Sequence, residues 1–316
     1  GDTMLKKQAY ARAHHDDLRG LVVLEPRGHP GMFAAILTEP VTDAADAGAV
    51  FLNPGGYDTM CGHGTMAIAT VLVETGRVAM NEPVTEVTLD TPAGTVTTSV
   101  DVEGGRAQSV TIRNVPSFLY DSAVEVEVPG LGSVEIDVAY GGDLFYAVLP
   151  AEAVGLPIEA EQNDAFISVG RRIWDAVNDT VEAQHPEIPE MQGFAGVIFS
   201  GPPTDPEATL KNATFGPPGF VDRSPCGTGT CARMAVLHAK GELTLGQEFV
   251  HESIIGTLFR GRPVEATEVG GYKAIVPVVT GSAYITGFHH LVLDPHDPFP
   301  SGFYVGRETA LWGATC

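Results

Sequence analysis

The amino-acid sequence predicts an α+β fold made of two similar halves in an approximate twofold arrangement. Most of the chain alternates apolar and polar residues between Gly and Pro turns, as in 85–115 and 122–142, which is typical of antiparallel strands. Against this β-rich background, the segments "CGHGTMAIATVLVETG" (61–76) and "CGTGTCARMAVLHAKG" (226–241) are identical at 8 of 16 positions without a gap. Such an internal match indicates two related halves, each with a cysteine at the same place.

Each copy of the repeat predicts a glycine-rich loop followed by a helix. The helix should begin around the second Gly or the Thr and end at Gly76 in one copy and at Gly241 in the other. Residues 66–73 are almost entirely apolar, which predicts a helix that is buried at the centre of its domain. The amino terminus of that helix would then direct Cys61 into an interior cleft.

Two further helices are expected, one over 3–23 and a long amphipathic one over 166–186. A domain boundary is predicted near "RNVPSFLYDSA" (113–123), where a proline-containing stretch separates two β-rich blocks. We therefore assign residues 1–125 to the first half, completed by 303–316, and residues 126–302 to the second half.

Composition limits the possible partners. The chain has 316 residues, a hydrophobic fraction of 44% and a formal charge of −22, so it can bury a sizeable core and would repel nucleic acid and anionic membrane surfaces. It contains no apolar run of the ~20 residues that a membrane span requires, and its first residues lack the apolar core of a signal peptide. We expect a cytoplasmic protein with neither a nucleic-acid nor a membrane partner.

The two loops indicate a site for a small carboxylate. The first N–H groups of a helix lack partners within the helix, and with the helix dipole they bind anions. Glycines at 62, 64, 227 and 229 allow the backbone to approach a ligand closely. The same dipole is expected to lower the pKa of Cys61 and Cys226 and to favour the thiolate.

A thiolate and a thiol on opposite faces of one carbon can invert its configuration, because one removes a proton while the other delivers one. We predict this two-base chemistry for Cys61 and Cys226 on an amino acid, with the helix termini stabilising the developing charge on its carboxylate. Neither cysteine loop, "MCGHGT" nor "DRSPCGTGT", contains a lysine that could hold pyridoxal phosphate, so no cofactor is expected.

Polar neighbours of the cysteines are candidates for substrate binding. His63 lies between two loop glycines, where it could bond a substrate amine or a nearby backbone group. Asp222, four residues before Cys226, could hold an ammonium or cap a turn. Asp143 and Tyr146, in "AYGGDLFYAV", are interpreted as structural.

The remaining cysteines and histidines give no metal signal. Cys231 would lie inside the second helix and is interpreted as a core residue, and Cys316 as incidental. The cysteines form no CxxC pair, and the adjacent His289 and His290 would face opposite ways on a strand. No metal site is predicted.

Several stretches together resemble the proline racemase family, which includes hydroxyproline 2-epimerases: "LEPRGHPGM", "MCGHGT", "RNVPSF", "AYGG", "DRSPCGTGT", "ESIIGTLFRG" and "DPFPSGF". The resemblance implies a cofactor-independent fold shared with diaminopimelate epimerase, in which each half is a β-barrel-like sheet around a central helix, and a homodimer. It implies Cys61 and Cys226 as the two bases. It also places Gly62, His63, Gly227 and Thr228 against the substrate carboxylate and ring nitrogen, with Asp222 at that nitrogen.

The resemblance leaves the reaction open. Relatives that dehydrate trans-3-hydroxyproline typically have Thr in place of the second cysteine, so Cys226 favours inversion. "CGHG" is more similar to hydroxyproline epimerases, whereas proline racemases often have Asn after that His. Family members usually have a strand-rich segment upstream of "GDTM", which we expect to be missing or built differently here. The alternatives are a proline racemase, a dehydratase, a noncatalytic carboxylate-binding protein and a thiol hydrolase, the last of which leaves the second cysteine loop unexplained.

Overall fold

The computed structural model describes residues 1–305, and they form five α-helices and fifteen strands. The helices are α1 (Met4–His14), α2 (Asp16–Val23), α3 (Gly62–Glu74), α4 (Asn163–Thr180) and α5 (Gly227–Ala239). The strands are β1 (Ala34–Thr38), β2 (Ala47–Asn53), β3 (Gly56–Asp58), β4 (Val84–Thr91), β5 (Gly94–Glu103), β6 (Arg106–Arg113), β7 (Ser117–Val128), β8 (Gly132–Tyr140), β9 (Phe145–Pro150), β10 (Phe194–Gly201), β11 (Leu210–Gly216), β12 (Phe220–Val221), β13 (Phe249–Glu252), β14 (Leu258–Val269) and β15 (Tyr272–Gly281).

Eight of these strands form a closed barrel around α5. Their order is β7-β8-β9-β10-β11-β13-β14-β15, and the barrel closes where Ala274 and Ile275 of β15 pair with Phe118 and Ser117 of β7. Helix α5 packs against β7, β8, β9, β14 and β15. Closure gives every barrel strand a neighbour on both sides, which removes exposed edges.

A second group of strands packs around α3. Its order is β1-β2-β4-β5-β6, and α3 contacts β1, β4, β5 and β6. Strand β15 also pairs antiparallel with β6, from Val278↔Arg113 to Gly281↔Val110, so it connects the two groups. The predicted α+β fold, with strands arranged around two central helices, is confirmed.

The two central helices end in the same way. Gly76 follows α3 with a φ of +71°, and Gly241 follows α5 with a φ of +75°. Residues beyond each glycine bond back to the last helical turn, with Val78 N donating to Leu72 O at 3.0 Å and Leu243 N to Leu237 O at 3.3 Å. Left-handed backbone of this kind favours glycine, which accounts for the matching glycine at the end of each repeat.

Helix boundaries differ from the sequence prediction at the amino terminus. The single helix expected over 3–23 is two helices, because His15 leaves the helical conformation with φ −141° and ψ 26°. Asp16 and Asp17 then occupy the first turn of α2, where acidic side chains are favourable. The long helix α4 ends at Thr180, before the expected end at Pro186.

The assignment of residues to two domains stays a prediction. Strand β6 ends and β7 begins within the predicted boundary, while β15 pairs with both. Near the carboxyl end, Phe303 forms an antiparallel bridge with Glu25, and residues 306–316 lie outside the described part of the chain. None of the described helices is long and apolar enough to cross a membrane.

Candidate active site

One cavity of about 640 Å³ is lined by all seven residues that the sequence predicted for the site. They are Cys61, Gly62, His63, Asp222, Cys226, Gly227 and Thr228. The first three lie at the start of α3, and the last three at the start of α5. The structure therefore brings together two segments far apart in the chain, although their individual roles stay predictions.

Each cysteine is the residue that caps the amino terminus of its helix. The helices begin at Gly62 and Gly227, two residues before the expected second Gly. Cys61 is extended, whereas Cys226 has φ 60° and ψ 111°, an uncommon conformation for a residue with a side chain. The Sγ of Cys226 accepts a hydrogen bond from the backbone N of Gly229 at 3.3 Å. Strained backbone of this kind is concentrated at functional sites.

Both thiols are buried, and burial dominates their electrostatics. It raises the pKa of Cys226 to about 12, with a further contribution from Asp222. Burial, followed by the charge of Asp58, raises the pKa of Cys61 well above its ordinary value. Backbone N–H groups of Gly64 and Gly229 act in the opposite direction but are outweighed. The expectation that the helix termini lower both values is therefore wrong for this structure, because removing a thiolate from water costs more than these donors supply.

Tyr146 belongs to the Cys226 side of the cavity. Its Oη lies 2.7 Å from Thr228 Oγ1 and 3.8 Å from Cys226 Sγ. The Thr228 hydroxyl is 3.9 Å from the same sulfur. Two hydroxyl groups can thus donate to a thiolate at Cys226 and stabilise it.

His63, in the first turn of α3, and Asp222, in the loop between β12 and α5, approach each other across the cavity. The Nδ1 of His63 lies 3.8 Å from Asp222 Oδ2 and 3.3 Å from Ser224 Oγ. Asp222 Oδ1 accepts a hydrogen bond from Ser224 N at 2.8 Å. Asp222 therefore caps a turn with one oxygen and presents the other toward His63, while its predicted contact with a substrate ammonium stays a prediction.

The sequence analysis missed part of the cavity wall. Asp143 and Tyr146, which it interpreted as structural, both line the cavity, and so does Asp58. Asp143 follows two glycines between β8 and β9, and Asp58 ends β3, three residues before Cys61. The only available sequence signal was the occurrence of acidic residues beside a Gly-Gly turn and beside a cysteine loop.

Cys231 lies outside this cavity, as expected. It is 1% exposed within α5, and its Sγ accepts a hydrogen bond from Asn114 Nδ2 at 3.3 Å. His289 and His290 are exposed, and Cys316 falls outside the described residues. Within residues 1–305, no group of three or more His, Cys, Asp and Glu side chains is arranged to hold a metal ion.

The fold and the cavity define a class of protein with two related halves, each presenting a cysteine from the amino terminus of its central helix. A sequence model described as "Proline racemase" matches residues 1–304, and the chain belongs to the proline racemase family. The predicted enzyme class, an amino-acid racemase or epimerase, is confirmed by this membership.

Relatives within the family carry different names. The chain is 46% identical over 303 residues to a proline racemase of Clostridioides difficile, covering 96% of this chain and 90% of the relative. It is 49% identical over 303 residues to a 4-hydroxyproline 2-epimerase of Streptosporangium roseum, with the same coverage. A crystal structure of a hydroxyproline epimerase from Agrobacterium vitis with bound trans-4-OH-L-proline has a TM-score of 0.91 and 35% identity, covering 99% of this chain and 89% of that one.

Proposed function

We propose that this protein is a 4-hydroxyproline 2-epimerase that inverts Cα by a two-cysteine acid/base mechanism without a cofactor. The observation that carries the proposal is the position of Cys61 and Cys226, each capping one of two helices that begin at the same cavity. A mechanism with a single base would use only one of these cysteines, so the presence of both at the cavity favours two bases. Membership of the proline racemase family supports the same chemistry.

The proposed reaction moves one proton off the substrate and another onto it. In one direction the thiolate of Cys226 takes the proton from Cα, so that an S–H bond forms and the C–H electron pair moves toward the carboxylate. The thiol of Cys61 then gives its proton to the opposite face of Cα and becomes the thiolate. The roles reverse for the other epimer, and the two thiols titrate as a coupled pair.

The remaining site residues would hold the substrate. The N–H groups at the starts of α3 and α5, with Gly62, Gly227 and Thr228, would receive the carboxylate and stabilise the charge that develops on it. Asp222 and His63 would hold the ring nitrogen. A cationic nitrogen beside Asp222 offsets the negative charge that helps to raise the pKa of Cys226, which favours the thiolate when substrate is bound.

Proline racemisation is the second candidate, because a relative named proline racemase is similar at 46% identity. The "CGHG" loop favours the hydroxylated substrate. A homodimer and a cytoplasmic location are further parts of the proposal, and light scattering of the purified protein would test the first.

Proton NMR in D₂O tests the reaction. We expect the Cα proton signal of trans-4-hydroxy-L-proline to disappear as the epimer accumulates, with deuterium in the epimer and, early on, little in the recovered substrate. Early deuterium in both forms would instead indicate one base. Parallel reactions with L-proline rank the two substrates.

Cysteine variants complete this test. Cys61→Ser and Cys226→Ser should both abolish inversion, whereas Cys231→Ala should retain it, because Cys231 is also buried but lies outside the cavity. If either serine variant retains full activity, the two-base proposal is wrong. Exchange without inversion, or loss of water from trans-3-hydroxy-L-proline, would favour the dehydratase alternative.

A further inference from the structure

The two cysteines have different neighbours at the matching position three residues upstream. Before Cys61 that residue is Asp58, which lines the cavity, whereas before Cys226 it is Arg223, which is exposed and donates to the carbonyl of Val221. The two copies of the repeat therefore differ in the charge that precedes their cysteines. A carboxyl group lies next to only one of the two proposed bases at this position.

Asp58 shares its part of the cavity with a second buried carboxyl group, that of Asp143. Asp143 is 6% exposed, and its Oδ1 accepts hydrogen bonds from Thr59 N at 2.9 Å and Thr59 Oγ1 at 3.0 Å. Burial raises the pKa of Asp143, while its hydrogen bonds with Thr59 and the backbone N–H groups of Met60 and Leu144 favour its charged form. Asp143 thus has the donors that an ionised carboxylate requires.

Asp58 lacks such donors. Its Oδ1 accepts one hydrogen bond, from Asn53 Nδ2 at 2.6 Å, and its Oδ2 is buried with no donor among the described residues. Asp58 and Asp143 line the same cavity, and two buried carboxylates that repel each other cannot both ionise without a large cost. Because Asp143 has the better donors, the proton of the pair belongs on Asp58. Burial and the charge of Asp143 raise the pKa of Asp58, in agreement with this assignment.

Other charged groups line the same cavity but are engaged elsewhere. On α1 and α2, Arg12 lies over the ring of Tyr57, and Arg19 pairs with Asp16. On the opposite side, Asp222 faces His63 and contributes to raising the pKa of both cysteines. Asp58 differs from Asp222 in that its charge acts mainly on Cys61.

We propose that Asp58 and Asp143 share one proton beside Cys61, and that Asp58, on losing that proton, holds Cys61 as the thiol and leaves Cys226 as the base. Asp58 is then a positioning residue: it acts on the substrate only through Cys61, and above the pH at which it ionises its charge decides which thiol of the free enzyme keeps the proton. The inference rests on the proposed two-cysteine function for its meaning. Its test does not require substrate.

Alkylation of each cysteine by iodoacetamide, followed by peptide mass spectrometry over a range of pH, measures the two thiolates separately. Cys61 is 6% exposed and Cys226 is 7% exposed, so the two residues are buried to a similar extent. In the unaltered protein we expect Cys226 to react faster than Cys61 at alkaline pH. Asp58→Asn should speed alkylation of Cys61 by about tenfold, the effect of one pKa unit, and leave Cys226 nearly unchanged.

Arg223→Gln is the matched control, since it changes the charge at the corresponding position before Cys226 but on an exposed side chain. It should leave both rates as they were. An unchanged Cys61 rate in Asp58→Asn, or a Cys61 that reacts faster than Cys226 in the unaltered protein, would overturn the proposal.

Infrared spectroscopy of the unaltered protein gives a second test in case Asp58→Asn fails to fold. A protonated carboxyl group at neutral pH should give its own carbonyl band, and this band should vanish as the pH rises. Absence of such a band contradicts the shared proton. Both measurements use the substrate-free enzyme, so their outcome is independent of the epimerase assay. Either proposal can therefore be contradicted while the other is supported.

Discussion

Gly62 and Gly227 lie against each other where α3 and α5 begin, so the two central helices meet end to end through backbone alone. A Cβ atom on Gly62 would lie 2.7 Å from the Cα of Gly227, and a Cβ on Gly227 would lie 2.6 Å from the Cα of Gly62. Any side chain at either position would separate the helices. Because these helices carry the two cysteines, the glycine contact sets the distance between the proposed bases.

Gly62→Ala and Gly227→Ala should therefore each lower kcat by about 10²-fold, since displacements of the order of 1 Å at a catalytic group have effects of that size. Replacing glycine by alanine within a helix ordinarily stabilises the helix by about 1 kcal/mol. Any loss of stability in these variants would therefore come from the close contact between the two helices. Steady-state kinetics and thermal unfolding measure both quantities.

Gly76→Ala serves as the control for the glycine variants. Gly76 has a φ of +71°, and no atom of residues 1–305 lies within 4 Å of an added Cβ. Its substitution should cost stability through backbone strain but leave kcat unchanged. Equal kcat values for Gly62→Ala and the unaltered protein would contradict the importance of the close approach.

Tyr146→Phe should weaken the base on the Cys226 side. The Tyr146 hydroxyl helps to lower the pKa of Cys226, so its loss should move thiolate formation at Cys226 to higher pH. A hydrogen bond to a charged group contributes about 1.5–3 kcal/mol, which corresponds to a loss of kcat of about 10- to 100-fold. The pH dependence of kcat/KM measures this effect.

Tyr140→Phe is the matched control for Tyr146→Phe. Tyr140 is also a buried tyrosine, and its Oη donates to Met191 Sδ at 3.3 Å, away from the cavity. Its substitution should leave the pH dependence of activity unchanged. If both variants behave alike, the effect of Tyr146 is structural.

Asp222→Asn should raise KM with a smaller effect on folding. Asparagine can still accept the hydrogen bond from Ser224 N, so the turn is retained while the charge proposed to hold the ring nitrogen is lost. We expect KM to rise by about 10- to 100-fold, the effect of losing a charged hydrogen bond. Asp205→Asn is the control, because Asp205 Oδ1 accepts the same kind of bond from Glu207 N on the surface. A KM unchanged in Asp222→Asn would contradict this role.

The fold and the central part of the site were predictable because both depend on local sequence. The repeat around Cys61 and Cys226 contains its own loop, helix and terminal glycine, so each half could be recognised without knowledge of the other. The residues that were missed are brought to the cavity by distant pairings. Tyr146 reaches Cys226 only because β9 pairs with β8 and β10. Asp143, in the turn between β8 and β9, lines the same cavity as Asp58, at the end of β3.

The pKa values of the two thiols are a second property that could not be predicted from the sequence. A helix amino terminus can be inferred from a motif, but the depth of its burial cannot, because burial of Cys61 and Cys226 depends on the complete cavity wall. The motif therefore indicated donors that favour the thiolate. The larger opposing effect, desolvation, depends on the assembled fold.

Glu252→Gln should destabilise the barrel strongly. Glu252 is 1% exposed, and its Oε1 lies 3.1 Å from Lys211 Nζ, while Thr204 N and Asp205 N donate to Oε2. Burial alone would raise its pKa, but these donors outweigh it and lower the pKa to about 2. Removing one partner of a buried pair costs about 3–5 kcal/mol, which urea unfolding can measure.

Asp137→Asn is the control for Glu252→Gln. It disrupts the pair with Lys240, whose side chain is 40% exposed, and should cost about 1 kcal/mol or less. Since the pKa of Glu252 is lowered on folding, its contribution is present above its ordinary pKa and is lost as the pH falls toward the lowered value. Equal losses of stability in the two variants at neutral pH would contradict a special role for Glu252.

Asp58 should make stability depend on pH in the opposite sense. Its pKa is raised from an ordinary value of 3.8, so between that value and the raised one the folded protein keeps a proton that the unfolded chain loses. The free energy of unfolding should therefore fall as the pH increases through this window, and Asp58→Asn should remove that part of the decline. Urea unfolding of both proteins from about pH 5 to 8 measures the difference, with Asp90→Asn as a contrast, because hydrogen bonds lower the pKa of Asp90. Parallel stability curves for Asp58→Asn and the unaltered protein would show that Asp58 is ionised throughout, and the proton assigned to it would have to belong elsewhere.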